Sequence, residues 1–175
     1  MQNYIVLNGK KILLNNEQAK ALTKQFNPPT FNPCKRQSLD ETYYYINDGL
    51  VEEGTDDYSL MDLNLYQQGN YFTDRDFAEH VALGHELHLL LLQYAYNHGY
   101  IDNYPWNGEN FHYYIGYRED ENIVSIQYNA YTEQPNTVYF KSEEDARYAI
   151  DDVVKPFMRD HPNYSFLWKD KEKLE

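Results

Sequence analysis

The chain contains a single cysteine, Cys34, in 175 residues, so no disulfide can form within it. Long apolar runs are also missing. The longest, Leu89 to Leu92, falls far short of the roughly 20 residues that a membrane-spanning helix needs, which excludes insertion. The polar start Met1, Gln2, Asn3 carries no charged-then-apolar leader, and the expectation is an intracellular, cytoplasmic protein. Positive charge is scarce: 15 Lys and Arg stand against 28 Asp and Glu, a net charge of −13. Such a balance disfavours binding to a phosphate backbone, which needs clustered Lys and Arg. It leaves a basic protein partner, or plain solubility, as its meaning.

Signatures of chemistry are missing as well. Ser and Thr occur without a GxSxG elbow, and neither GxGxxG nor a Walker pattern is present. Cys34 has no neighbour that would serve as its base, although Lys35 and Arg36 would favour its thiolate if exposed. His85-Glu86-Leu87-His88 looks like a zinc-protease helix but is one residue short, because two ligands on one helical face need i,i+4 spacing. An i,i+3 pair can still approach one metal, and His80 lies nearby, yet no third ligand stands at a suitable spacing. The chain is therefore read as a non-enzyme, with no catalytic residue, metal or cofactor.

What is abundant is aromatic surface. Hydrophobic residues make up 42% and aromatic residues 17%, with 19 Tyr and 8 Phe, so the chain folds despite its charge. At this length it can bury roughly two thirds of its unfolded surface. Tyrosine rings half-buried with their hydroxyls in water suit contact with a partner.

The pattern along the chain predicts an α+β fold. Tyr4 to Leu7 and Lys11 to Leu14 flank Asn8-Gly9, a type I′ hairpin signal. Asn15 or Asn16 caps a short helix with Ala19, Leu22, Thr23 and Phe26 at helical spacing, ended by Asn27, Pro28 and Pro29. Residues 1–27 thus form a hairpin plus helix, and residues 28–40 a Pro-containing linker. Thr42 to Ile46, the turn Asn47-Asp48-Gly49 and a return strand from Leu50 follow. Tyr58, Leu60, Leu63 and Leu65 fit either a strand or a helical turn. Thr73 or Asp74 then caps a long helix to about Asn97, with Phe77, Leu83, Leu87, Leu90, Leu91 and Tyr94 as its stripe and Gly99 as its C-cap glycine.

The same order then starts again. Phe111 to Tyr117 and Ile123 to Tyr131 flank a turn, Val138-Tyr139-Phe140 is a short strand, and Ser142 caps a helix that Pro156 ends or kinks. Tyr44-Tyr45-Ile46 lies over Tyr113-Tyr114-Ile115, Tyr71-Phe72 over Tyr139-Phe140, and Ala78 over Ala146, with spacings that agree to one residue. This reads as tandem strand-hairpin-strand-helix units, residues 41–99 and 100–160, each covering its own sheet with its own helix. Residues 161–175 form an aromatic tail whose charged end frays.

Acids cluster in the turns and first helical turns of both units. Glu52, Glu53, Asp56 and Asp57 form one group, Glu119, Asp120 and Glu121 a second, and Glu143 and Glu144 head a third. Solvated surface accounts for such acids. So does a spread of carboxylates that imitates nucleic-acid phosphates and occupies a basic groove on another protein, with nearby tyrosines supplying contact area.

The stretch Asn3 to Ile12, together with Tyr43-Tyr44-Tyr45-Ile46, Gly69-Asn70-Tyr71-Phe72 and Val138-Tyr139-Phe140, resembles small acidic accessory proteins of phages and prophages of Gram-positive bacteria. The resemblance is one of short motifs, and it carries over no catalytic residue. It implies an anti-CRISPR or other anti-defence inhibitor acting in the host cytoplasm. The implied partner is a host nucleic-acid-binding protein such as a Cas9-type nuclease, with no membrane contact and an oligomer left open.

Overall fold

The computed structural model describes residues 4–7, 10–19, 22, 32–100, 104–118 and 123–168. The chain divides into two compact units, Met1–Pro33 and Cys34–Glu175, the division falling within residues 28–40. It is an α+β protein. No helix among the described residues is long and apolar enough to cross a membrane.

In the first unit, β1 (Tyr4–Leu7) pairs antiparallel with β2 (Lys10–Leu13), Leu7 opposite Lys10. The Asn8-Gly9 turn itself lies outside the described residues, as do Thr23, Phe26 and Asn27-Pro28-Pro29. Asn15 rather than Asn16 starts the helical turn over 16–19: its Oδ1 accepts from Gln18 N at 2.8 Å, while Gln18 Oε1 accepts from Asn15 N at 3.1 Å. This reciprocal box satisfies two otherwise orphaned donors.

The larger unit holds the two repeats. In the first, β3 (Thr42–Asn47) pairs with β4 (Leu50–Thr55) around Asp48 and Gly49, whose φ values of 49° and 80° are the left-handed pair a type I′ turn requires. The undecided leucine stretch is a helix, α1 (Leu60–Gln67), because Ser59 and Asp62 form a full capping box. Asn70 then bonds through its side chain to both N and O of Ile46, at 2.7 and 2.8 Å, continuing the ladder without its own backbone. Phe72 completes it, exchanging both main-chain bonds with Tyr44 at 2.7 and 2.8 Å.

Helix α2 (Arg75–Asn97) is capped by Asp74, whose Oδ1 accepts from Phe77 N at 2.7 Å. It ends in a Schellman turn: Gly99 has φ +82°, and Tyr100 N donates to Ala95 O at 3.0 Å. The buried positions are Ala78, Ala82, Leu87, Leu91 and Ala95, so the apolar stripe is displaced from the expected one and Leu90 is 38% exposed. Alanines take the deepest places because the strands and the neighbouring helix approach α2 closely on either side.

The second repeat builds a three-stranded sheet in the order β6-β5-β7 from β5 (His112–Arg118), β6 (Ile123–Asn129) and β7 (Tyr139–Phe140). Tyr113 pairs with Phe140, the counterpart of Tyr44 with Phe72. Two residues after each Phe stands the cap of a helix, here Ser142 ahead of α3 (Glu143–Ala149). Ala78 and Ala146 are both fully buried. Pro156 neither ends the helix nor breaks it sharply. A π-helical turn, Ile150–Val154, lets Lys155 N donate to Ile150 O, and α4 (Lys155–Asp160) carries Pro156 in its first turn, where its missing N–H costs nothing. Leu87, Leu91, Phe140, Ala146, Val154 and Phe157 form the centre of the core, which Tyr164 closes from the C-terminal segment. Residues 169–175, expected to fray, lie outside the described residues.

Gly54 is required by a close approach: a Cβ there would stand 2.6 Å from the Tyr43 ring, which lies directly across the ladder and is pinned by its bond to Asp62. Gly54→Ala is expected to lower stability by about 2 kcal/mol in urea unfolding. Gly116→Ala serves as the control, because its Cβ meets mainly the flexible Gln127 side chain, at 3.0 Å. Its change should stay within about 0.5 kcal/mol.

Candidate functional site

The acids expected to form a display surface separate into two kinds. Glu52 and Glu53 are exposed on β4, Asp57 is exposed in the loop after it, and Glu143 and Glu144 are exposed in the first turn of α3. Glu52 accepts from Tyr45 Oη at 2.6 Å and Asn47 Nδ2 at 3.0 Å, and the Tyr45 bond holds its carboxyl below the usual range. Asp57 Oδ1 accepts from Ser59 N at 2.9 Å, Glu143 pairs with Arg147 at 2.7 Å, and Glu144 accepts from Tyr148 Oη at 2.9 Å. Glu119, Asp120 and Glu121 lie outside the described residues.

Asp56 does not belong to that surface. Its side chain is wholly buried, accepting from Arg36 Nε at 3.1 Å, Arg36 Nη2 at 3.3 Å, Tyr71 Oη at 2.8 Å and Tyr58 N at 2.9 Å. The Arg36 guanidinium, against the opposing effect of burial, holds the carboxyl below its ordinary value. Asp62, absent from the sequence expectation, is its neighbour in kind. It is 3% exposed and accepts from Tyr43 Oη, Asp57 N and Ser59 N at 2.8, 3.0 and 3.1 Å. Burial raises its pKa, but these donors together overcome that and lower it. The Ser59-x-x-Asp62 spacing was a readable signal for Asp62. Nothing local marked Asp56, because Arg36 lies twenty residues away in sequence.

Among the described residues of the larger unit, five cations pair with its own acids. Arg36 is spent on Asp56, and Arg75, Arg147, Lys155 and Arg159 pair with Glu79, Glu143, Asp151 and Asp160. Cys34–Glu175 holds 11 Lys and Arg against 27 Asp and Glu, net −16, while Met1–Pro33 holds four Lys against one Glu, net +3. The acidity therefore belongs to the repeat unit.

His85 and His88 open to different depressions, His85 beside Val81 and Leu89, His88 beside Leu87 and Leu91. His80 stacks on Tyr164 with 5.4 Å between ring centroids, and burial pushes its pKa down. Among the described residues no three His, Cys, Asp or Glu side chains are grouped so as to hold a metal. Cys34 is exposed.

An open groove of about 1120 Å³ lies between the β3–β4 turn and α2. Ile46, Leu50, Phe72, Val81, Leu89 and Leu90 give it apolar walls; Asp48 and Glu86 are its charged residues, and no Lys or Arg is among its described residues. Sequence reasoning missed this groove. Leu89 and Leu90 were visible as an apolar run, but only the fold places them opposite a hairpin end.

Comparison with known protein families, curated proteins and solved structures yields no match.

Asp56→Ala leaves the Arg36 charge and the Tyr71 hydroxyl without their acceptor and is expected to cost about 3 kcal/mol in denaturant unfolding at pH 7. A carboxyl whose folded pKa is depressed contributes stability above its unfolded pKa of about 3.9, and loses it as pH falls through the folded value. The stability gap between wild type and Asp56→Asn should therefore narrow as pH drops from about 5 towards 3. A gap independent of pH would mean that Asp56 is not held ionised by Arg36.

Proposed function

We propose that this chain is a non-catalytic inhibitor of a basic, nucleic-acid-binding protein. Its particular form in this reading is a phage-encoded anti-defence protein of the type II anti-CRISPR kind, directed at a Cas9-type nuclease. The observation that carries the reading is the one-sided field of the larger unit, net −16, with five of its eight described cations paired with its own acids. A groove that holds nucleic acid by Lys and Arg is attracted to such a surface as it is to phosphate, and the encounter is accelerated by the same long-range field. Glu52, Glu53 and Asp57 on the first repeat, and Glu143 and Glu144 on the second, are the carboxylates that face solvent to do so.

A second reading, a phage interaction module that binds through an aromatic surface without mimicry, is favoured by exposed rings. Phe111, Tyr128 and Tyr131 are 50%, 65% and 76% exposed, and Phe111 packs edge-on against Tyr128. The two readings differ in salt dependence. Steered, charge-dominated binding falls steeply between about 50 and 500 mM salt, whereas apolar contact does not.

The test is capture of a host protein from a Gram-positive lysate by the immobilised chain, with and without excess duplex DNA, followed by a salt titration of the purified pair. Glu52→Lys combined with Glu53→Lys should weaken binding about tenfold and flatten the salt slope. Cys34→Ser and His88→Gln should leave it within about twofold. Capture unaffected by DNA, salt and the charge reversals would sink the mimic.

A further inference from the structure

The two repeats differ in what fills the space between hairpin and helix. In the second repeat, Tyr117 at the end of β5 stacks on Phe166, centroids 5.2 Å apart and planes 20° from parallel. Phe166 meets Tyr164 at 5.8 Å, and Tyr164 meets Phe157 edge-on at 5.4 Å. A file of rings thus runs from the strand end to the helix; its two middle members come from the turn-containing segment after α4, two residues apart, and Tyr164 also stacks on His80 of α2. Tyr164 is 9% exposed there.

Carrying the repeat alignment along the chain places Asp48 on Tyr117, Ile46 on Ile115, Phe72 on Phe140, and Leu89 and Leu90 on Phe157 and Met158. All five first-repeat positions, Asp48 included, line the open groove. The site that the chain fills with Tyr164 and Phe166 in one repeat is left unfilled by the described residues in the other. Leu50 and Leu89 at its mouth are 71% and 50% exposed. The one exchange of chemical character is at the strand end, where a carboxylate replaces a ring.

We propose that the groove of the first repeat is a docking site for an extended segment of the partner protein, carrying two aromatic side chains two residues apart with Lys or Arg beside them. The aromatic pair occupies the places that Tyr164 and Phe166 hold in the second repeat. Asp48 meets a cation where Tyr117 meets a ring, and Glu86 on the helix wall receives another. In such recognition apolar pockets for side chains supply specificity and charge supplies orientation. The basic character of the segment rests on the partner proposed above; the aromatic pair rests on the repeat alone.

The probe is a labelled synthetic heptapeptide, Lys-Lys-Tyr-Ser-Phe-Lys-Lys, titrated into the full chain by fluorescence anisotropy with amide chemical-shift mapping. Saturable binding is expected, with shifts centred on Ile46, Leu50 and Leu89. Replacing both rings by Ala, or introducing Leu50→Lys or Leu89→Lys into the protein, should weaken it at least about tenfold. Both leucines are half exposed or more, so the variants should retain the wild-type melting curve, which circular dichroism checks. No saturation at millimolar peptide, or unchanged affinity in both variants, overturns the docking site. A Glu-flanked peptide that binds as well as the Lys-flanked one overturns the basic partner while the aromatic dock stands. Failure of the lysate and salt experiments with the peptide results intact counts against the nuclease reading alone.

Discussion

The larger unit depends on one short pairing made twice: a Phe that pairs with the first strand of its hairpin and is followed, two residues later, by the cap of a helix. Phe72 on Tyr44 and Phe140 on Tyr113 each tie the end of a loop to the sheet. With so short a connection, the helix cannot swing away from the hairpin it follows. Its first turn lies against the sheet, and only a methyl side chain fits there, which is why Ala78 and Ala146 are both wholly buried. The preceding tyrosine accepts a main-chain N–H in both copies, Tyr71 Oη from Gln37 N ahead of β3 at 3.1 Å and Tyr139 Oη from Gln134 N in the loop before β7 at 2.8 Å. The two segments thus share this pairing, this cap position and the buried alanine, while the first alone carries α1 ahead of its Phe.

Elements with a local cause were legible in the sequence. The Asn-Asp-Gly turn, the Asp74 and Ser142 caps and the Gly99 terminus each depend on a few neighbouring residues, and each stands where the chemistry of those residues puts it. What needed tertiary information was not legible. Tyr58 to Leu65 has leucines spaced for either period, and the choice falls to helix through the Ser59 and Asp62 box, with Leu60 left 78% exposed. Asp56 read as one more loop acid, because its burial depends on Arg36 and Tyr71, which reach it from distant segments. Pro156 read as a stop because its clash with a carbonyl one turn back is local, whereas its accommodation by a π-helical turn depends on the packing of Val154 and Phe157 into the core.

The two buried carboxylates clarify how the acidity is used. Asp56 and Asp62 hold the hairpin, the loop and α1 together, each saturated with donors, as buried charge requires. Their role is structural, and they offer no carboxylate for direct contact with a partner. Among the described acids, Glu52 and Glu53 lie on β4, and Glu143, Glu144 and Asp145 lie in the first turn of α3, where they also favour the helix dipole. A local advantage to each helix and a long-range field for the whole unit come from the same residues, so acidity alone cannot separate stability from recognition.

Recognition needs more than a field, because a diffuse negative surface attracts many basic proteins and selects poorly among them. Selection requires a shaped contact whose loss is not compensated elsewhere, and the groove of the first repeat has that character. Its walls are apolar, its charges are few and of one sign, and its counterpart in the second repeat is filled by the chain's own rings. Had both copies kept a filling segment, the duplication would have yielded a closed, symmetric body with no concavity of this size between a hairpin and its helix. Divergence at Asp48 and the straight run of α2, where the second repeat bends through a π turn, keep that space open. In this reading the carboxylates govern how fast a basic partner arrives and the groove governs how long it stays, a division of labour in which charge acts on association and buried apolar contact on dissociation.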